Sequence, residues 1–372
     1  MSNIDNEQNS HQNENRYTGA QAGSGGQQTQ GLHAPEGAVA PGATVPVRPE
    51  ADGQRGAGKI RASMRAYRKF LHGVKHCLPD WAFLMLSHRR KIGRFPNLTR
   101  PKAFNEMILM RSLNPAICWS ELTDKLSVRE YVRRKIGEQY LIPLIAVPEA
   151  FTREVFDMLP SSFVMKANHG CGFVKVVRDK RKTSFTELSA LAARWMASNF
   201  YHINRERHYR DIKPRIYFEK LLVDSNDRIP ADLKLHVFGR RPGGPVIYTI
   251  VISDRFGDIR GDVYDAQWNR LDLSVGEYTR SNAPARPPAN WDDVVRVATL
   301  LAEDFGYLRV DLYSTGNEVY FGELTFTPGA GLFRFNPDRF DYDWGHLLRE
   351  TMDGIEIKNY QIGKSRTRGM IG

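Results

Sequence analysis

The sequence predicts an α+β (α/β) protein, and three observations carry that reading. Helical and strand-like segments interleave from Pro101 onward. The stretch RVDLYSTGNEVYFGELTFTPGAG, Arg309 to Gly331, has the form of two strands joined by a polar turn. A chain of 372 residues with 41% hydrophobic content can also bury a full core, with room for more than one globular unit.

Residues 1–58 are rich in Gln, Asn, Gly, Ala and Pro and almost devoid of large apolar residues, which predicts a disordered low-complexity tail. From Lys59 the pattern changes. Ile60, Met64, Tyr67, Leu71, Val74 and Leu78 recur at helical spacing, with Lys59, Arg61, Arg65, Arg68, Lys69 and Lys75 between them. This is a basic amphipathic helix ended by Pro79, inside a basic segment spanning 59–100. Net charge places the basicity there: −3 over residues 1–58, +11 over 59–111 and +3 over the rest. The helix can make peripheral contact with an anionic membrane through residues 59–78, or it can dock on the core with a solvated basic face. No recognition motif accompanies the charge, so nucleic acid is not an expected partner.

The body follows over 101–350, with a C-terminal extension over 351–372. Helices are expected at 103–112, at Asp124 to Gly137 with a glycine stop, at 184–200 with Thr183 or Ser184 before Glu187 as a capping signal, and at 291–304. LIPLIAV reads as a short buried strand. FVMKANH, FVKVVRD, RIYFEKLL, ADLKLHVFG and PVIYTIVISD read as further strands. No run approaches the roughly 18 apolar residues needed to span a bilayer. The N-terminal stretch carries no apolar segment for export, and Cys77, Cys118 and Cys171 show no metal-ligand spacing. A cytoplasmic protein is expected, with contact at the inner membrane face left open by the basic helix.

Four patches can carry chemistry. On the hairpin, Asp311 lies on the first strand, and Glu323 and Thr325, two apart, share a face of the second. One carboxylate from each strand can then meet with a third oxygen beside them. Hard oxygen ligands on rigid strands suit Mg²⁺. Arg309 points to the same side, where it can face a phosphoryl or carboxylate group. A surface hairpin with a cross-strand polar pair would read the same way, but here the polar set interrupts strands rich in Val, Leu, Tyr and Phe. In the second patch Lys166 ends a strand before the loop Asn168, His169, Gly170, Cys171, Gly172, whose backbone N–H groups can meet phosphate oxygens. The alternative is an ordinary hairpin with a solvent-facing lysine. His169 and Cys171 lack a nearby acid to orient them as a nucleophilic pair. In the third, Glu219 closes a strand before Lys220, Leu221 and Leu222; a backbone edge beside aliphatic side chains suits a purine, though alone it is a strand end. In the fourth, Asp232 and Lys234 share a strand face, where Lys234 can meet a phosphate or pair with Asp232.

Taken in this order, the patches resemble the ATP-grasp superfamily. LTRPKAFNE, DKLSVREYVRRKIGEQYLIPLI, LPSSFVMKANHGCG, KPRIYFEKLL, DLKLHVFGRRP and the hairpin phrase are similar to the TupA-like ATP-grasp family of teichuronopeptide and polysaccharide biosynthesis, whose members are often labelled glycosyltransferases. The resemblance implies an ATP-grasp fold in which two α+β subdomains hold the nucleotide, with residues 101–350 as the catalytic domain. It places Arg129, four residues after Lys125, where a phosphate-binding lysine often stands. It assigns Lys166 to the α/β-phosphates and the loop with His169, Gly170 and Gly172 to covering the nucleotide. Glu219, Lys220, Leu221 and Leu222 become the hinge for adenine. Lys234 and Arg309 take the catalytic positions facing the γ-phosphate and an acyl phosphate, and Asp311, Glu323 and Thr325 take Mg²⁺. Three positions depart from the pattern: Thr325 stands where Asn is usual, Arg129 replaces a lysine, and Met107 follows Glu106 where a lysine is common.

The activity so implied is an ATP- and Mg²⁺-dependent carboxylate–amine ligase that works through an acyl phosphate. Its carboxylate would be a uronic acid of a capsule or exopolysaccharide or of a lipid-linked precursor, joined to an amino acid or other amine. One rival is a glycosyltransferase using a nucleotide sugar, for which Asp341 and Asp343 offer an Asp-x-Asp pair. The other is a non-catalytic polysaccharide-binding protein whose Trp and Tyr side chains stack on sugars.

Overall fold

In the computed structural model, residues 77–241, 243–253 and 259–352 are described. The expected tail at 1–58, all but the end of the 59–78 helix and nearly all of the 351–372 extension lie outside them. The chain divides into two units, Arg16–Leu78 and the remainder, and the elements below belong to the second. In chain order they are α1 (Asp80–Ile92), α2 (Phe104–Leu113), α3 (Trp119–Thr123), α4 (Val128–Lys135), β1 (Leu144–Ala146), α5 (Arg153–Met158), β2 (Phe163–Ala167), β3 (Val174–Val177), α6 (Phe185–Met196), α7 (Tyr201–Asn204), β4 (Ile216–Glu219), β5 (Asp232–Phe238), β6 (Val246–Ser253), β7 (Arg260–Asp265), β8 (Ser274–Val275), α8 (Trp291–Ala302), β9 (Tyr307–Ser314), β10 (Val319–Thr325), β11 (Phe335–Asn336) and α9 (Arg339–Met352). Among the described residues no helix is long and apolar enough to cross a membrane.

Two antiparallel sheets organise this α+β body. One runs β1-β4-β2-β3 and the other β10-β9-β5-β6-β7, with β11-β8 as a small third pair. On the five-stranded sheet, alternation sends Leu233, Leu235, Val237, Val310 and Leu312 to one face, against Val294, Val297 and Leu301 of α8. On the opposite face Phe238, Tyr307 and Ile250 lie under Phe104 and Ile108 of α2 and Trp344 and Leu348 of α9. Trp344 stacks on Tyr248 with ring centroids 5.1 Å apart and meets Phe104 edge-on at 5.5 Å. Along the same face, toward the far ends of β5 and β9, the apolar set stops and Lys234, Asp232, Arg309 and Asp311 take its place. The four-stranded sheet divides likewise. Phe163, Met165 and Phe218 pack on Leu188, Leu191 and Trp195 of α6, while Lys166, Tyr217 and Glu219 alternate to the other face.

Several expectations shift. The helix expected from Asp124 starts at Val128, because Asp124 Oδ1 accepts the backbone N–H of Leu126 and of Ser127 and holds the chain in a turn. Gly137, at φ 108°, follows its end as the glycine stop required. The strand expected to be buried in LIPLIAV is instead the edge β1, with Leu144 39% and Ile145 36% exposed; Leu141 and Ile142 before it are the buried pair. The Ser184 cap is real, its hydroxyl accepting from Glu187 N at 3.2 Å. Helix α9 continues past residue 350, and Gly345 within it lets it close on α2: a Cβ there would lie 2.2 Å from the Lys102 carbonyl.

Trp344→Ala removes the ring on which the α2–α9 face is built, and should cost about 3–5 kcal/mol. A guanidinium midpoint that falls with an unchanged slope would bear this out; an unchanged midpoint would show that the face repacks without the ring.

Candidate active site

The site grows out of strand register. Lys234 pairs with Asp311 across β5–β9, and Asp311 pairs with Glu323 across β9–β10, so the three form one row across the sheet. His236, Arg309 and Thr325 form the next. A β-bulge at Gly322 makes this possible. Before it Val319 and Phe321 face the α8 core; after it Leu324 and Phe326 do. Two residues there oppose one on β9, which flips the alternation and turns Glu323 and Thr325 to the face of Asp311.

The row is held by charge. Lys234 Nζ lies 2.7 Å from Asp311 Oδ2 and 2.8 Å from Asp232 Oδ2. Arg309 donates Nε to Asp311 Oδ1 at 2.7 Å and reaches Glu323 Oε1 at 2.7 Å. Lys125 Nζ lies 3.1 Å from Glu323 Oε2 and donates to the Gly170 carbonyl at 2.8 Å. Burial opposes the charge on Glu323, but Lys125, Arg309 and Lys234 outweigh it and hold the carboxyl well below the usual range. Burial likewise opposes the Lys234 ammonium, and Asp232 and Asp311 hold it well above its ordinary value. At Asp311 burial pushes the carboxyl up against the opposing pull of Arg309 and Lys234.

On the facing sheet, Lys166 Nζ lies 2.5 Å from Glu219 Oε2, and Arg129 approaches Glu219 Oε1 at 3.5 Å while donating to the Ile142 carbonyl at 2.9 Å. Lys125 bridges the Gly170 carbonyl of the β2–β3 loop and Glu323 of the hairpin, so the two polar faces border one cleft. Arg129, Lys166, Glu219, Lys234, Arg309, Asp311, Glu323 and Thr325 are thus gathered around it. The Lys220 N–H is given to the Pro143 carbonyl at 3.0 Å, leaving half-buried Leu221 and Leu222 as the open stretch of the strand end. Gly170 is in the loop beside Lys125, and Gly172 takes φ 78°. His169 departs from its expected place over the cleft. It is 2% exposed, and its ring nitrogens meet the Trp195 carbonyl at 3.0 Å and Asn168 Oδ1 at 3.4 Å, so it pins the loop to α6. Asp341 is 1% exposed and bound to Arg94 and to the Asn105 N–H, which makes it an anchor of α9 and not half of an open Asp-x-Asp pair.

A metal fits the donor set. Asp311 and Glu323 offer carboxylate oxygens from adjacent strands, and the Thr325 hydroxyl, donating to Glu323 Oε1 at 3.0 Å, stands beside them. Among the described residues no three His, Cys, Asp or Glu side chains cluster as metal ligands. Two carboxylates with water and phosphate oxygens are what Mg²⁺ takes.

Residues that the spacing did not reveal complete the floor. Lys125 ties the loop to the hairpin; its signal was the DKLS phrase itself. Glu206, 4% exposed, accepts the Thr327 hydroxyl, and burial pushes its carboxyl up to about 7. His208 meets the same hydroxyl at 3.5 Å, and burial together with Arg111 holds its imidazole down to about 3.

A family model described as TupA-like ATPgrasp matches residues 107–349. A search of curated proteins gave no match. Among solved structures, D-alanine-D-alanine ligase from Helicobacter pylori is 15% identical with a TM-score of 0.37, over 63% of this chain and 61% of that one. N5-carboxyaminoimidazole ribonucleotide synthetase from Thermus thermophilus is 16% identical with a TM-score of 0.32, over 55% and 45%. D-alanine–D-alanine ligase from Bacillus anthracis complexed with ATP is 15% identical with a TM-score of 0.37, over 70% and 76%. The chain spans less than two thirds of the length of the first two.

Glu206 gives the site a measurable pH signature. Its carboxyl is raised from an ordinary 4.5 to about 7, so the unfolded chain ionises first and native stability drains away as pH rises through that window. Glu206→Gln cannot ionise. Its stability relative to the wild-type protein should therefore grow by roughly 3 kcal/mol between pH 4.5 and 8. Denaturant titrations of both proteins measure that gap, and His208 acts on both alike. A gap that stays constant with pH would place the Glu206 proton elsewhere.

Proposed function

The chain belongs to the TupA-like ATP-grasp family, and on that premise we propose that it is an ATP- and Mg²⁺-dependent carboxylate–amine ligase. The observation that carries the proposal is the register-locked row of Lys234, Asp311 and Glu323 with Arg309 beside it, facing Lys166, Arg129 and the strand end at Glu219. In this reading Leu221 and Leu222 receive the purine edge and flanking aliphatic contact. Lys166 and Arg129 exchange Glu219 oxygens for phosphate oxygens, Arg129 with a fork and Lys166 as a point charge. Lys234 and Arg309 face the transferred phosphoryl group, where their charge offsets the negative charge that builds as the substrate carboxylate attacks. Asp311 and Glu323, with Thr325 beside them, would hold Mg²⁺, which supplies charge neutralisation at the phosphates when bound. An amine then displaces phosphate from the acyl phosphate to give an amide. Such chemistry asks for positioned charge more than for a nucleophilic side chain, and the cleft is built of positioned charge.

By family resemblance the carboxylate would be a uronic acid in a polysaccharide or its lipid-linked precursor, and the amine an amino acid or related compound. Calorimetry with ATP and Mg²⁺, followed by ADP release across a panel of uronic acids and amino acids, tests the reading. ATP should bind in a Mg²⁺-dependent manner, and one carboxylate–amine pair should drive ADP release. Preference for a sugar nucleotide would instead favour a glycosyltransferase, and binding of neither a scaffold. Glu323→Gln keeps the side-chain length and the acceptor for Thr325. It should slow ADP release about a hundredfold or more with an unchanged far-ultraviolet spectrum; a normal rate would remove Glu323 from the metal site.

A further inference from the structure

The buried carboxylates of the cleft follow a rule. Asp232, Asp311, Glu219 and Glu323 each stand against a lysine or arginine. Glu206 does not. It sits on the turn between α7 and the 3₁₀ turn Arg207–Tyr209, and it is held by a hydrogen bond from the Thr327 hydroxyl. Among the described residues no basic side chain forms an ion pair with it. The charged groups that act on it come from the hairpin, Arg309 favouring its ionised form and Glu323 opposing it. His208, on the same turn, is neutral.

A second observation points to the same place. Tyr209 is 7% exposed, and among the described residues its hydroxyl has no hydrogen-bond partner. Tyr209 closes the 3₁₀ turn that Glu206 opens. A phenol with no partner and a carboxylate with no counter-ion therefore stand on one turn, which Thr327 ties to the end of the hairpin. Burying an ionised carboxylate alone costs several kcal/mol. A glutamine would hold Thr327 equally well without that cost.

We propose that Glu206, with the Tyr209 hydroxyl, is the seat of the amine substrate: the ammonium group is the missing counter-ion, and the carboxylate takes the proton that must leave before nitrogen can attack. The proposal rests on the ligase reading above. In the step, R–NH₃⁺ gives one proton to the Glu206 carboxylate. The freed lone pair attacks the carbonyl carbon of the acyl phosphate and forms the C–N bond. The C–O bond to phosphate breaks with its electron pair leaving on oxygen, and phosphate takes the second N–H proton. Amide, hydrogen phosphate and a protonated Glu206 result, with charge conserved. The ligand class is a primary amine presented as its cation.

The test uses the full chain loaded with Mg²⁺ and a non-hydrolysable ATP analogue, titrated at pH 7 with glycinamide, or with N-acetylglycinamide, which lacks the ammonium group. Glycinamide should bind and its acetylated form should not. The heat should vary with the ionisation enthalpy of the buffer, because a cation beside Glu206 drives part of its proton into solution. Glu206→Gln should weaken glycinamide at least about thirtyfold, the loss expected when one member of a buried charge pair is removed. Tyr209→Phe should weaken it by about two- to tenfold, one hydrogen bond's worth. Both variants should keep the affinity for the nucleotide analogue, which shows that the cleft is folded. Equal glycinamide binding by Glu206→Gln, equal binding of the acetylated control, or no glycinamide response in nucleotide-loaded wild-type protein would each overturn the amine site alone. Failure of the wild-type protein to bind the nucleotide at all would overturn the ligase reading on which it stands.

Discussion

Asp311 cannot lie inside this sheet as an anion unless Lys234 and Arg309 lie there with it. Desolvation costs each of these groups several kcal/mol, and only mutual contact recovers it. That requirement reaches outward. Arg309 must also meet Glu323, Glu323 must meet Lys125, and Lys125 carries the Gly170 carbonyl and with it the loop between β2 and β3. The hairpin, the central strand and the loop are thereby fixed to one another by charge balance. The arrangement has a chemical corollary. Lys125, Lys166, Lys234, Arg129 and Arg309 each have a carboxylate partner, so a polyanion entering there would exchange partners and not meet bare charge. Preorganised cations of this kind need little movement at the moment of reaction.

The two sheets explain why the polar groups collect where they do. Each commits one face to an apolar core, α8 for one and α6 for the other. On the second face of the larger sheet, α2 and α9 bring aromatic rings over the ends of β5 and β9 near Phe238 and Tyr307. What they leave uncovered is the half with Lys234, Asp311 and Arg309. His236, hydrogen-bonded to the Tyr307 hydroxyl at 2.7 Å, stands at the boundary. The aromatic packing thus sets the limits of the cleft as well as stabilising the body.

Much of this was legible in the chain, for reasons that can be named. Asp232 with Lys234, and Arg309 with Asp311, sit two apart in strands of strong apolar alternation, so their common face could be read directly. The same holds for Glu323 and Thr325. Lys166 and Glu219 were found as strand ends, but their direct contact is a matter of sheet order, which local spacing does not contain. β1 misled because its apolar run describes composition, and an edge strand can leave Leu144 and Ile145 half in water. His169 looked like a loop ligand because nothing local shows that Trp195 will offer it a carbonyl. Glu206 stayed hidden for the opposite reason. It lies in HINRERHYR, a run of charge that reads as a solvated turn, and only the fold brings Thr327 to it.

One residue governs whether the hairpin presents chemistry or core. Gly322 lies so close to β9 that a Cβ would approach the Asp311 carbonyl at 3.0 Å and the Tyr313 ring at 3.1 Å. In effect the bulge is a phase shift: the strand is written in one frame up to Phe321 and in the other from Glu323 on. Regular pairing of the same residues, without the bulge, would carry the first frame on and exchange the two faces of everything downstream, sending Glu323 and Thr325 into the apolar layer under α8 and Leu324 and Phe326 out over the cations. Among sequences that keep Arg-x-Asp and Glu-x-Thr, the pairing irregularity before the glutamate is as much a part of the site as the motifs themselves.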